Sequence, residues 1–242
     1  MMVLIIIDFH ERLGNMDKVY MVGGLRSFVG VVNGMYRHVP AEKLGAAVLK
    51  QVMAKYAVPK PDYIIAGNGV GAGGNIARLM ALEAGVDTAV PAFTIDVQCG
   101  SGLESIAVAA AKIACGEAEC IIAGGFESSS TQPRRGYNPN HPDYAGESWY
   151  SVAKFMPNIH RETVMLEGAE LACQREGVSK AELDEWVLRS HRLAAQAQQE
   201  GSLRDIIAPC FGASKDEGIR PRMSQRLLDR LPKVLEHGEF IT

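Results

Sequence analysis

The sequence predicts an α/β fold built as packed layers, and three observations predict it. Apolar runs of strand length recur at Val19–Gly23, Tyr63–Gly67, 92–97 and 119–124. Between them lie segments of helical periodicity, clearest at 41–56, where Leu44, Ala47, Val48, Val52 and Tyr56 fall near helical spacing. The alternation stops after Ser130: Thr131–Asp143 is rich in proline and asparagine and reads as loop before helices resume. Alternating strands and helices bury a sheet under helices, which is the layered α/β solution.

At the N-terminus, Met2-Val-Leu-Ile-Ile-Ile7 is apolar but far too short to span a bilayer, has no basic segment ahead of it, and runs at once into Asp8, His10 and Glu11. It reads as neither anchor nor signal, and residues 1–15 are either an extension from an upstream start or an added strand. A helix at about 74–84 follows the second strand, and the alanine-rich stretch 103–114 supplies another after the third. Beyond the loop, helices are expected at about 161–176 and 180–200. The second opens on Ser179 with Glu182 three residues later, a capping box. Leu183, Trp186, Val187, Ser190, His191 and Ala194 then share one stripe, which assigns Trp186 and His191 to packing.

The most chemically pointed residue is Cys99, in Phe93-Thr-Ile-Asp-Val-Gln-Cys-Gly-Ser-Gly-Leu103. A β-branched run stops at this cysteine and a small-residue turn leads into the 103–114 helix, so the thiol stands at a helix N-terminus, where unpaired amides and the macrodipole favour a thiolate. The glycines that follow leave room for a substrate to approach.

These residues resemble the nucleophile segment of thiolases, enzymes that make or break a carbon–carbon bond between acyl-CoA thioesters. The resemblance extends to Gly124-Gly-Phe-Glu127 with Ser128 to Ser130, to Arg26-Ser-Phe-Val-Gly30 with Pro40 and Leu44-Gly-Ala-Ala47, to Gly67-Asn68, to Arg189-Ser-His191 and to Asp216-Glu-Gly-Ile-Arg220. These landmarks stand in family order from about residue 20 onward. The resemblance implies a thiolase-like layered mixed sheet with a buried nucleophile helix, plus an inserted, mostly helical loop domain that covers CoA. It implies three segments: 1–15 of unclear role, an α/β domain at 16–130 that lacks its last strand, and the loop domain at 131–242. It makes Cys99 the catalytic nucleophile, places Met165 near the pantetheine and acyl group, and places Arg220 at the nucleotide end of CoA, where a guanidinium engages phosphate or stacks on adenine. Asp96, Val164 and Gly168 depart from the residues most thiolases carry, and Phe211–Asp216 is shorter than the family's segment, which bears on substrate choice and CoA geometry.

Composition narrows the alternatives. The formal net charge is −3, which offers no general attraction to nucleic acid or anionic lipid. Five cysteines without metal-ligand spacing point to a reducing compartment, with cytoplasm as the expectation, and to no metal site. Gly69-Val-Gly-Ala-Gly-Gly74 satisfies G-x-G-x-x-G, with Asp96 downstream, but it opens the second strand–helix unit rather than the first, so a glycine-rich loop is favoured over a nicotinamide site. No prosthetic group is expected; a coenzyme A thioester enters as substrate.

The resemblance implies a two-step reaction in which Cys99 takes the acyl group from one acyl-CoA and the α-carbon of a second attacks it. Thiolases take the base and the enolate stabiliser from Gly-His-Pro, Asn-Glu and Cys-x-Gly motifs of their second half; neither Gly-His-Pro nor Asn-Glu follows Cys99 here, and none of the six histidines lies in a Gly-His-Pro context. The chain ends at Thr242, where the family enters the last strand of its first half, so it reads as that half with most of the insertion. The expected chemistry is acetyl-CoA C-acetyltransferase or 3-ketoacyl-CoA thiolase chemistry in the complete enzyme, with an isolated chain that is inactive, and with a homo-oligomer or a chain supplying the rest as partner. The alternatives are a ketoacyl-synthase-like condensing enzyme and a non-catalytic acyl-CoA-binding subunit.

Overall fold

In the computed structural model, the described residues are 2–8, 19–150, 154–157 and 161–242. They form two compact units, one of residues 1–133 with 203–218 and one of residues 134–202 with 219–242. The segment 203–218, expected within the insertion, thus belongs to the first unit: Ala208 N–H donates to the Arg26 carbonyl and Arg26 pairs with Asp216.

The first unit is a five-stranded sheet in the order β2-β1-β5-β3-β4. Its strands are β1 (Met2–Asp8), β2 (Val19–Arg26), β3 (Tyr63–Gly67), β4 (Ala92–Ile95) and β5 (Cys120–Gly125). β3 pairs in parallel with β4 and β5, whereas β1 pairs antiparallel with both β2 and β5. The two readings left open for residues 1–15 are thereby separated for 2–8, which form a strand inside the sheet. Residues 9–18 lie outside the described residues.

Helices α1 (Ala41–Lys55) and α2 (Ile76–Glu83) cover one face and α3 (Ser101–Ala114) the other. The alternation of side chains along each strand explains the two cores. Ile64, Ala66 and Ile122 join Val48, Leu49, Val52, Ala77 and Met80 on the α1/α2 side. Ile65, Ile121 and Ala123 join Ala109 and Ile113 on the α3 side. A strand covered on both faces carries apolar residues at every position, which is why β3 and β5 read as continuous runs. α3 buries Ser101, Ser105, Ala109 and Ile113, while Leu103 on another face is 74% exposed.

The second unit contains α4 (Val164–Glu176), α5 (Lys180–Glu200) and α6 (Gln225–Leu228). The expected capping box is present: Ser179 Oγ accepts from the Glu182 N–H, and the Glu182 carboxylate accepts from the Ser179 N–H. α4 and α5 both end on a glycine in the left-handed region, Gly177 and Gly201. Buried Glu170 accepts hydrogen bonds from the Phe240 and Ile241 N–H groups, which ties the last residues to α4. Buried Asp184 pairs with Lys180 and accepts from Gln225 Nε2, tying α5 to α6.

One packing expectation is corrected here. Trp186 is 64% exposed rather than packed, and the Arg189 guanidinium lies 4.9 Å from its ring centroid. The stripe that groups Trp186 with Leu183 is long, but α5 buries only Asp184 and Ala195. Helical periodicity marks a face; it does not supply a neighbour for that face.

Candidate active site

β4 ends at Ile95, two residues sooner than the apolar run, because Asp96 starts a turn. Its carboxylate accepts the Gln98 N–H at 2.9 Å, and Gln98 takes a left-handed φ of +59°. A short 3-10 turn, Gln98–Gly100, then carries the chain into α3 and holds Cys99 on its outer side, where the residue is exposed. Buried Ser101 locks the turn from beneath. Its hydroxyl donates to the Gln98 carbonyl at 2.6 Å and accepts the Val97 N–H at 2.9 Å.

Close backbone approach sets the height of this turn. A Cβ on Gly67 would lie 2.4 Å from the Ser101 carbonyl carbon and 2.5 Å from the Gly102 nitrogen, and a Cβ on Gly125 would lie 3.2 Å from Gly102 Cα. The C-terminal ends of β3 and β5 therefore touch the start of α3 through glycine alone.

Beside the turn, Asn68 and Glu127 organise the loop after β3. Asn68 Nδ2 donates to the Phe126 carbonyl and to Glu127 Oε1, at 2.8 and 2.9 Å. Glu127 Oε2 accepts the Gly69 and Val70 N–H groups, and Asn68 Oδ1 accepts that of Gly71. These amides belong to the G-x-G-x-x-G stretch. A pyrophosphate would need them, and the Glu127 carboxylate and the Asn68 amide oxygen already hold them.

A second loop, 27–36, borders a cavity of about 220 Å³ lined by Phe28, Val31, Tyr36, Leu44, Glu127 and Ser130 among others. Its amides are satisfied by two adjacent carboxylates: Asp216 accepts from Val29, and Glu217 accepts from Val31 and Met35. Buried Tyr36 lies with its hydroxyl 3.8 Å from Cys210 Sγ, and burial, reinforced by that contact, holds the phenol above its ordinary range. Burial likewise raises Cys210, against the pull of the Tyr36 hydrogen bond, and pushes Cys120 up to about 11. Cys99 is set apart from both by its exposure.

In the second unit, Met165 is exposed in the first turn of α4. Arg220 lines an open cleft of about 660 Å³ together with Arg189, His191, Arg192, Gln196 and Met223. The Arg220 N–H donates to His191 Nδ1 at 3.2 Å, so His191, read from the sequence as packing, is a polar anchor for the Arg220 loop. Arg189 and Arg192 lie outside the residues that the sequence expectations place at this cleft. A signal was available: Arg189, Arg192, Gln196 and Gln199 recur at three- and four-residue steps and so share one face of α5. Cys99 belongs to the first unit, and Met165 and Arg220 to the second. Among the described residues, no group of three or more His, Cys, Asp or Glu side chains could hold a metal ion, and no helix is long and apolar enough to cross a membrane.

Comparison with known proteins agrees with this geometry. The family description "Thiolase, N-terminal domain" matches residues 19–238. A Staphylococcus aureus (strain MRSA252) protein, provisionally named acetyl-CoA C-acetyltransferase VraB, is 34% identical over 231 residues, covering 92% of this chain and 60% of the relative. The protein of the same name from Staphylococcus haemolyticus (strain JCSC1435) is 32% identical over 230 residues, with the same coverage. The crystal structure of the Bacillus anthracis acetyl-CoA acetyltransferase superimposes with a TM-score of 0.78 at 26% identity, covering 98% of this chain and 61% of that one. The chain thus spans about three fifths of the length of these relatives. The order of its landmarks, the α/β layers around Cys99 and the match over residues 19–238 establish that the chain belongs to the thiolase family.

Proposed function

We propose that this chain carries the nucleophile and much of the CoA-binding surface of an acyl-CoA C-acyltransferase, of acetyl-CoA C-acetyltransferase or 3-ketoacyl-CoA thiolase type. The observation that carries the reading is Cys99, exposed on a rigid turn at the start of α3. The Cys99 thiolate attacks the carbonyl carbon of an acyl-CoA; a carbon–sulfur bond forms, and the CoA thiolate leaves and takes up a proton. The α-carbon of a second acyl-CoA, once deprotonated, attacks the same carbonyl. The new carbon–carbon bond releases Cys99 as thiolate, and the degradative direction runs in reverse. The N-terminal end of α3, the positive end of its dipole, follows Cys99 directly and is suited to meet negative charge that develops at the sulfur.

The basic cleft of Arg189, Arg192 and Arg220 suits the phosphates and adenine of CoA, because guanidinium groups bind phosphate through paired donors and stack on flat rings. Met165 supplies an apolar, adaptable surface for pantetheine. We assign the work of removing the α-proton and stabilising the enolate to the part of the relatives' length that this chain does not span. In that assignment the isolated chain acylates slowly and does not turn over, since a nucleophile without its base and oxyanion partners loses on the order of 10⁴-fold or more in rate.

Intact-mass analysis after incubation with acetyl-CoA tests the reading. One added acetyl group, absent in Cys99→Ala, is expected, together with no measurable thiolysis of acetoacetyl-CoA. Saturable CoA binding without any acetyl adduct would favour a non-catalytic acyl-CoA-binding subunit. Cys99-dependent turnover by this chain alone would place the base within it.

A further inference from the structure

β1 stands apart from the other strands of its sheet. It runs opposite in direction to the other four strands, and both of its edges are paired. One edge registers from Met2 opposite Arg26 to Asp8 opposite Val19; the other registers from Met2 opposite Gly125 to Ile7 opposite Cys120. The family match begins at residue 19, so β2, β3, β4 and β5 all lie inside the matched segment and β1 lies outside it.

The strand order makes this consequential. β2 and β5 do not pair with each other; β1 separates them. Two neighbouring-strand spacings put them about 10 Å apart, a gap one strand wide. Without an occupant, the sheet would split into β2 alone and β5-β3-β4, with two rows of unpaired N–H and C=O groups facing each other. The β5 side of that gap is the centre of the core, where Ile121, Ile122 and Ala123 are no more than 1% exposed. Unsatisfied backbone groups there would be costly. Met2-Val-Leu-Ile-Ile-Ile7 is apolar at every position, the composition of a strand covered on both faces. The register also steps between Ile5 and Ile6, where Ile5 faces Gly23 and Ile6 faces Met21, leaving Val22 as an extra residue in β2 that pins the alignment.

We propose that the gap between β2 and β5 is a strand-acceptor site for one extended apolar segment running antiparallel to both neighbours, and that residues 2–8 are the donor strand this chain supplies to itself. The site recognises its occupant as other added-strand sites do: main-chain hydrogen bonds give affinity and the pinned register gives selectivity. The donor need not be covalently continuous with β2.

Co-expression of residues 1–15, carrying an affinity tag, with residues 16–242 as a separate polypeptide tests this with the whole chain present. The expected result is a complex of one copy of each piece, with slow amide exchange at 19–26 and 120–125 matching the intact protein. Ile5→Pro in the short piece removes a ladder N–H and is expected to lower recovery of the complex tenfold or more. The proposal is overturned if 16–242 is recovered folded and monodisperse without the short piece, or if no complex forms. It is equally overturned if the complex forms without protection at those two strands, or if Ile5→Pro leaves recovery unchanged.

Discussion

The Arg26 guanidinium donates two hydrogen bonds to the Asp216 carboxylate, at 2.8 and 2.9 Å, and so joins the end of β2 to a segment 190 residues later. Asp216 also accepts the Val29 N–H at 2.7 Å, while its neighbour Glu217 accepts from Val31 and Met35. A loop whose amides would otherwise go unpaired is held by two carboxylates from elsewhere in the chain.

This pair sets a pH dependence. Burial raises the Asp216 pKa, but the Arg26 hydrogen bonds and the Val29 amide outweigh it and hold the carboxyl below its ordinary value. A depressed folded pKa contributes stability that is present above the unfolded value, near about 4, and is lost as pH falls through the folded value. Asp216→Asn is therefore expected to be less stable than the parent at pH 7, with the difference shrinking toward pH 3. Urea midpoints across that range measure it; a constant difference would show that the carboxylate charge is not what stabilises the loop.

Four of the five thiols are expected to separate in reactivity. Cys99 is exposed at the start of α3, whereas Cys115, also exposed, lies at its other end with its thiol directed at the Lys112 carbonyl. Burial places Cys120 and Cys210 above the ordinary thiol range. Limiting iodoacetamide near neutral pH should label Cys99 first, Cys115 more slowly, and Cys120 and Cys210 last. Peptide mapping that finds Cys115 ahead of Cys99 would remove the case for an activated nucleophile.

Gly67→Ala should be among the most damaging single-methyl additions in the first unit. Its Cβ would fall 2.4 Å from backbone at Ser101, which no side-chain rotation relieves. Overpacking against backbone is expected to cost about 3 kcal/mol or more and to displace the turn that holds Cys99. Thermal denaturation, combined with the Cys99 alkylation rate, reads both effects. A stable variant with unchanged Cys99 labelling would show that β3 and α3 can move apart freely.

Ser179→Ala removes the side-chain acceptor for the Glu182 N–H and breaks the box that opens α5. The expected cost is about 1 kcal/mol, confined to the second unit. Hydrogen exchange should quicken in the first turns of α5 while β3 and β5 keep their protection, and Ser179→Asp should restore most of the loss.

Much of the fold was legible because burial on both faces leaves a local record. β3, β5, α1 and the α5 cap all follow from runs, periods and caps within a few residues. Cys99 was legible for the same reason, since its turn, its glycines and its helix are contiguous. Asp216 and Glu217 were recognised only as a landmark, because two acids in a loop look like solvated surface until the amides of 29–35 are brought to them. His191 was placed on a packing stripe, although its partner is the backbone of Arg220, 29 residues away. The sequence by itself determined which segments become strands and helices and that Cys99 stands on the turn before α3, because side-chain period and capping are local physics. Only the tertiary structure decided that residues 2–8 stand inside the sheet, that carboxylates from 216–217 hold the 29–35 loop, and that Trp186 stays uncovered. Each depends on which distant backbone edge, amide or surface comes alongside, and no local pattern encodes that neighbour.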